Sequence, residues 1–131
     1  MVGVIGMSTE QVVEKIGLAY DKGFRVFQIS LPPWGELNDS EYLTYFVDVC
    51  SSFPEASFLH YNLPRPKRVL VTEDYKKLQD VVPNLVATKY TSASLSECAS
   101  LVNETDLQHF FGDNNFPSGC LFGECSLLSS Y

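Results

Sequence analysis

The sequence predicts an α/β domain organised around one parallel sheet. Two observations carry that prediction. Short apolar runs alternate with helix-length amphipathic segments from one end of the chain to the other, giving a strand-helix-strand order repeated five times. The 131 residues are 45% hydrophobic, enough apolar surface for one soluble unit with its own core. Right-handed crossovers then place the helices outside six visible strands.

The elements follow in order. Val2 to Gly6 is a short apolar strand. Ser8 to Gln11 reads as a capping box opening a helix with apolar positions Val12, Val13, Ile16 and Ala19. Lys22-Gly23 ends it, because glycine accepts the left-handed conformation that follows a helix. A strand spans Arg25 to Ser30, followed by the loop Leu31-Pro32-Pro33-Trp34-Gly35. A second capping box, Asn38 to Glu41, begins a helix reaching about Cys50. The run Ala56 to Tyr61 is the next strand, stopped by Asn62-Leu63-Pro64. Thr72 is the expected N-cap of a helix to about Val81, with Glu73 and Asp74 favourably placed in its first turn. Pro83-Asn84 punctuates the chain before the strand that ends at Lys89. Ser94 to Glu97 is a third capping box, for a helix ending near Val102. Gln108 to Phe111 is a strand closed by Gly112-Asp113-Asn114-Asn115, and Cys120 to Ser126 is expected to be the last.

A closed eight-stranded (β/α) barrel usually needs about 250 residues, so periodicity and length alone favour an open doubly wound sheet. That sheet would arrive without its usual nucleotide site, since the chain has no glycine-rich phosphate loop. The formal net charge of −7, with nine Lys plus Arg, argues against nucleic acid and anionic membranes as partners. Small molecules or other protein chains fit better. Arg65, Lys67 and Arg68 gather just after Tyr61, either to attract a carboxylate or as a solvated charge cluster. Cys50, Cys98, Cys120 and Cys125 lack zinc-ligand spacing and are expected to be buried reduced thiols. With no signal-peptide pattern and no run of roughly 18 apolar residues, the expected location is cytoplasmic.

Lys89 stands out among the six lysines because it ends the apolar run Leu85-Val86-Ala87-Thr88. Burying an ammonium is costly, and a desolvated lysine is more readily the free amine that attacks a ketone to form a Schiff base. Tyr61 ends the preceding strand, 28 residues upstream, an interval that fits one helix between two parallel strands. Neighbouring strands lie about 4.8 Å apart, so amine and phenol can share one pocket. Strand alternation puts Ser57, Leu59 and Tyr61 on one face, and Leu85, Ala87 and Lys89 on one face of their strand. His60 should then point away from the pocket and pack under a helix, and His109 lies within a strand, so neither is the catalytic choice. Trp34 is a lid or subunit-contact residue, or packs within its loop.

The segment His60-Tyr61-Asn62-Leu63-Pro64, followed after one helix by Asn84-Leu85-Val86-Ala87-Thr88-Lys89-Tyr90-Thr91, resembles the dihydrodipicolinate synthase and N-acetylneuraminate lyase family. In that family a tyrosine in a YN-x-P motif ends strand five and a Schiff-base lysine ends strand six. Tyr61 and Lys89 match those positions, and Phe111-Gly112-Asp113 resembles the G-D after strand seven. The resemblance overrides the open-sheet preference. It implies an incomplete TIM (β/α)8 barrel: one partial domain over residues 1–131, holding strands three to eight. The family's first two strands, with their carboxylate-binding GTTGE segment, have no counterpart before Met1, and the eighth helix and its extension none after Tyr131.

The resemblance further implies a lysine Schiff-base lyase or aldolase acting on pyruvate or another 2-oxo acid. Lys89 is then the nucleophile, Tyr61 the general acid and base, and Thr91, Gly112 and Asp113 contribute to substrate binding. It implies no metal or organic cofactor and a homo-oligomer. Pro32-Pro33-Trp34 stands where many members carry a proton-relaying tyrosine pair, and Pro66 aligns with a carboxylate-gripping arginine, although Arg65 and Lys67 flank it. These departures argue against dihydrodipicolinate synthesis itself. The alternative is a catalytically inactive barrel fragment that serves as a structural or assembly partner.

Overall fold

The apolar runs become six strands, and the amphipathic segments between them become helices. A computed structural model describes residues 1–91 and 93–129. In chain order the elements are β1 (Val2–Val4), α1 (Thr9–Tyr20), β2 (Val26–Ile29), α2 (Asp39–Ser51), β3 (Ser57–Asn62), α3 (Thr72–Val81), β4 (Leu85–Tyr90), α4 (Leu95–Glu104), β5 (Gln108–Phe111), α5 (Phe116–Gly119) and β6 (Ser126–Leu127). All strand pairs are parallel, and the order across the sheet is the order in the chain, β1-β2-β3-β4-β5-β6.

That order rules out a doubly wound sheet, which must reverse direction at a switch point. Here every crossover steps the same way, and with right-handed connections every helix lands on the same side. A single core results, joining Phe27, Ile29, Phe58 and Phe111 from the strands to Val12, Ile16, Phe46, Val49, Leu78 and Leu101 from the helices. The other face carries no helix. Val26 and Val86 lie on it 46% and 44% exposed, beside a trench of about 440 Å³ that is also lined by Leu59, Ala87 and Phe110. In a closed barrel this face would be the interior.

The helix starts agree with the sequence in kind and differ in detail. At α2 the capping box is complete: the Glu41 amide donates to Asn38 Oδ1 at 3.0 Å, and the Asn38 amide donates to Glu41 Oε2 at 2.8 Å. At α1 the Ser8 hydroxyl accepts from the Gln11 amide, but the Gln11 side chain accepts from Met7, one residue too early for a closed box. The Ser94 hydroxyl caps α4 through the Glu97 amide, while the Glu97 carboxylate turns to another helix. Thr72 is not an N-cap: α3 starts one residue earlier, with Val71 in the cap position and its amide donating to Asp74 Oδ2 at 3.0 Å. The Thr72 amide and hydroxyl both donate to Glu97 Oε1, at 2.7 and 2.8 Å, so α4 lends its acid to the positive end of α3.

Two further expectations are corrected. Residues 120–125 are turn and coil rather than strand, because α5 and a following turn occupy the segment; pairing with β5 begins only at Ser126. Of the four thiols, Cys50 and Cys98 are buried, but Cys120 is exposed and Cys125 half-buried. Among the described residues no helix is long and apolar enough to cross a membrane, and no group of His, Cys, Asp or Glu is arranged to hold a metal ion.

Candidate functional site

The site is built on the two central strands. β3 pairs with β4 through Leu59↔Ala87, His60↔Thr88, Tyr61↔Lys89 and Asn62↔Tyr90, so Tyr61 and Lys89 are direct cross-strand partners. Each is the penultimate residue of its strand, which puts both at the C-terminal edge of the sheet. Loops of a parallel α/β sheet converge at that edge, and ligands bind there. Lys89 Nζ lies 4.6 Å from the centroid of the Tyr61 ring, within cation–π range. Lys89 is 7% exposed although it sits on the face without helices.

The alternation that unites these two side chains has one interruption. The register slips between Phe58 and Leu59, so Phe58 pairs with Leu85 while Leu59 pairs with Ala87. One residue of β4, Val86, is therefore extra, as in a β-bulge. Leu85 consequently belongs to the helix-side core rather than to the face of Ala87 and Lys89 that strict alternation assigns it. Above the slip the two strands are in phase, and Tyr61 and Lys89 emerge together.

On the opposite face the histidines do structural work. His60 Nδ1 is hydrogen-bonded to the Tyr75 hydroxyl at 2.8 Å, and its ring meets Phe46 edge-on at 4.9 Å between centroids. Burial pushes its pKa down to about 3. His109 bridges the hydroxyls of Thr88 and Thr105, each at 2.7 Å, and burial pushes it down to about 4. Both rings are held as neutral packing groups beneath the helices.

A support that the sequence did not disclose lies directly behind the pair. Asn62 faces the core, donating to the Leu70 carbonyl at 2.7 Å and accepting from the Leu70 amide at 3.1 Å. The Tyr90 hydroxyl donates to the same carbonyl at 2.7 Å. The residues immediately after Tyr61 and Lys89 thus clamp the far end of the loop that follows β3, fixing its path over the rim. The only local signal was an asparagine before Leu-Pro, which marks a strand end without revealing its partner.

Of the remaining expected site residues, Thr91 and Gly112 touch the ends of β3 and β4 beside this pair. Thr91 follows β4 and its hydroxyl reaches the Asn62 carbonyl at 3.4 Å. The Gly112 amide donates to the Tyr90 carbonyl at 3.3 Å, and a Cβ at Gly112 would meet nothing within 4 Å, so the space beside it is open. The exposed Asp113 carboxylate accepts from Ser129 at 3.2 Å. The loop cations divide. Arg68 is held by Asp39 at 2.8 Å and Asp74 at 3.0 Å, whereas Arg65 and Lys67 stand exposed on either side of buried Pro66. Lys67 takes a φ of 63°, a conformation uncommon for a residue with a side chain. Trp34 is 65% exposed and borders a hollow of about 340 Å³ with Met7, Leu37 and Glu41. It is not buried by its own loop.

No family model matches the sequence, and no curated protein matches it. Solved structures do match the fold. The chain is similar to a dihydrodipicolinate synthase from Cyanidioschyzon merolae with lysine bound, at 23% identity and a TM-score of 0.82 over 97% of this chain and 44% of that one. It is similar to a prophage protein of the dihydrodipicolinic acid synthase family from E. coli K12 in complex with pyruvate, at 21% identity and a TM-score of 0.84 over 97% of this chain and 45% of that one. It also matches a Ruminococcus gnavus sialic acid aldolase, at 18% identity and a TM-score of 0.82 over 97% and 43% of the two chains. The chain therefore spans under half the length of the solved structures it matches, and its architecture is an incomplete barrel of their type.

Proposed function

We propose that this chain carries the Schiff-base half-site of a carbon–carbon lyase or aldolase acting on a 2-oxo acid such as pyruvate, and that its six strands are strands three to eight of a (β/α)8 barrel. The observation that supports this reading is the Tyr61↔Lys89 pair at the C-terminal edge of the sheet, with the amine 4.6 Å from the phenol ring centroid and almost withdrawn from water. Two of the similar structures agree with it, one a protein in complex with pyruvate and one a sialic acid aldolase.

In the proposed chemistry the Lys89 nitrogen attacks the ketone carbon with its lone pair. Proton transfers to the carbinol oxygen let water leave, giving a protonated imine. That cation withdraws electrons from the adjacent carbon, so a proton or an aldehyde fragment departs as its bonding pair becomes the enamine. Tyr61 moves the protons between carbinol, enamine and departing group, which requires its hydroxyl to come within hydrogen-bond reach of the bound intermediate. Thr91, the Gly112 backbone and Asp113 bind substrate at the rim, with Arg65 and Lys67 as the exposed cations nearest in sequence to the YN-x-P segment. The working protein is proposed to be a homo-oligomer in the cytoplasm.

Borohydride reduction in the presence of millimolar pyruvate tests this reading. The expected result is a stable mass adduct mapped to Lys89, absent from Lys89→Ala. A wild-type chain that remains unmodified under those conditions would refute it.

One observation favours a second reading, a noncatalytic chain that works by association. The helix-free face has an apolar trench with half-exposed Val26 and Val86, and such a surface gains by being covered. In that case the trench mediates assembly, a trench substitution such as Val86→Glu alters the sedimentation profile, and Lys89→Ala leaves assembly unchanged.

A further inference from the structure

The turn between α5 and β6 holds two thiols that the proposed chemistry does not use. Cys120 and Cys125 are free, their sulfurs 3.7 Å apart. Their approach is built into the local fold. Leu121, Phe122 and Gly123 continue the helical turn of α5 through amides donated to Ser118 and Gly119, which curls the chain back on itself. Gly119 makes room for the second sulfur: a Cβ at that position would lie 2.7 Å from the Phe111 ring and 3.0 Å from Cys125 Sγ. Glycine at 119 therefore lets Cys125 pack inward, while Cys120 remains at the surface. The sulfurs must close from 3.7 Å to the bonding distance of about 2.0 Å for a disulfide to form.

We propose that Cys120 and Cys125 form a dithiol modification site that reacts with oxidised low-molecular-weight thiols, the glutathione disulfide class, and closes into an intramolecular disulfide. The exposed Cys120 thiolate attacks one sulfur of the small disulfide, RSSR, and one RS⁻ leaves and takes up a proton. The Cys125 thiol then loses its proton and attacks the Cys120 sulfur, expelling the second RS⁻. Two protein thiols and one RSSR become one protein disulfide and two RSH, so the oxidant is fully accounted for. Burial and the neighbouring Cys120 push the Cys125 thiol up to about 11, which assigns the first attack to Cys120 and the resolving step to Cys125.

The consequence falls on the sheet edge. β6 is only Ser126–Leu127, held by pairing with Phe110 and Phe111 and by the Leu128 amide donating to the Phe111 carbonyl at 3.0 Å. Linking residues 120 and 125 removes freedom from the segment that delivers β6, so the oxidised chain keeps that strand docked for more of the time. Phe110 is also the register partner of Lys89, so the link braces the strand beside the proposed amine.

Equilibrating the chain with glutathione disulfide, followed by non-reducing peptide mapping and amide exchange, tests this without reference to carbonyl chemistry. The expected product is lighter than the reduced chain by about two daltons, the two hydrogens lost on forming one disulfide. Its crosslink joins 120 to 125 and persists in Cys98→Ser. Cys125→Ser should stop at a mixed disulfide on Cys120, and Cys120→Ser should react at least about tenfold more slowly. Exchange at the Leu128 amide should slow several-fold, roughly, on oxidation. A wild-type chain whose thiols stay free, that halts at the mixed disulfide on Cys120, or that crosslinks through Cys98 overturns the proposal.

Discussion

The two faces of the sheet are made by the same strands, and they do different work. Toward the helices, Phe27, Phe58, His60 and Phe111 are buried to within 1% in one continuous core. Away from them, Val26 and Val86 are half-exposed, and Tyr61 and Lys89 meet at the upper edge. A single step along β3 separates the two roles: His60 enters the core against Tyr75, and Tyr61 turns to Lys89. The comparison teaches that this chain keeps its packed core and the Tyr61–Lys89 pair on opposite sides of one backbone, so substitutions on one face should leave the other largely untouched.

The largest expected effect tests the packing side. Phe58→Ala should lower stability by about 3–5 kcal/mol, the usual range for truncating a buried aromatic. Its neighbour Leu59, beside the open trench, should cost clearly less when cut to alanine, since the cavity it leaves opens to solvent. Denaturation midpoints measure both, and equal losses would break the distinction between faces.

Acid titration sharpens the same contrast. His60 and His109 have folded pKa values of about 3 and about 4, below the ordinary value of 6.5, because burial disfavours the charged ring. The unfolded chain takes up protons first as pH falls, so the stability contributed by these neutral rings is complete above about 6.5 and is lost on the way down to 4 and then 3. Each ring adds a slope of roughly 1.4 kcal/mol per pH unit inside its window. Unfolding midpoints measured from pH 7 to pH 4 should fall steeply in the wild type and less steeply in His109→Gln.

The smallest expected effect on stability is at the site. Tyr61→Phe removes a hydroxyl from the helix-free face and should change stability by no more than about 0.5 kcal/mol. Under the proposed chemistry the same substitution slows proton transfer by about 10²–10⁴-fold while leaving the Lys89 adduct trappable with borohydride. Loss of trapping together with unchanged folding would reassign Tyr61 from proton carrier to a residue that places the amine.

Much of this arrangement could be read along the chain because it depends on near neighbours. The Asn38–Glu41 box spans three residues, the strand Gln108–Phe111 is bounded by its own turn signal, and Tyr61 and Lys89 share strand ends recognisable from the motifs around them. Errors arose where the partner was distant. Thr72 is satisfied by Glu97 from the next helix, so its cap position could not be inferred from its own first turn. Leu85 changes face because β3 and β4 slip at Phe58, a property of the pair and of neither strand alone. The segment 120–125 was apolar enough for a strand, but Gly119 packs under Phe111 and folds it into a turn.

By itself, then, the sequence determined the alternation of strands and helices, the parallel sheet that follows from it, and the two residues at whose strand ends chemistry is to be sought. These depend on periodicity and short-range hydrogen bonding, which operate over a few residues. Periodicity and length alone favoured a doubly wound sheet and the family resemblance an unclosed barrel; the tertiary structure shows the latter, because strand order is set by which distant segments pair. Only the tertiary structure decided the clamp of Asn62 and Tyr90 on Leu70 and the contact between two sulfurs at the sheet's edge, since a hydrogen bond or a thiol pair exists only once folding has brought both members within reach.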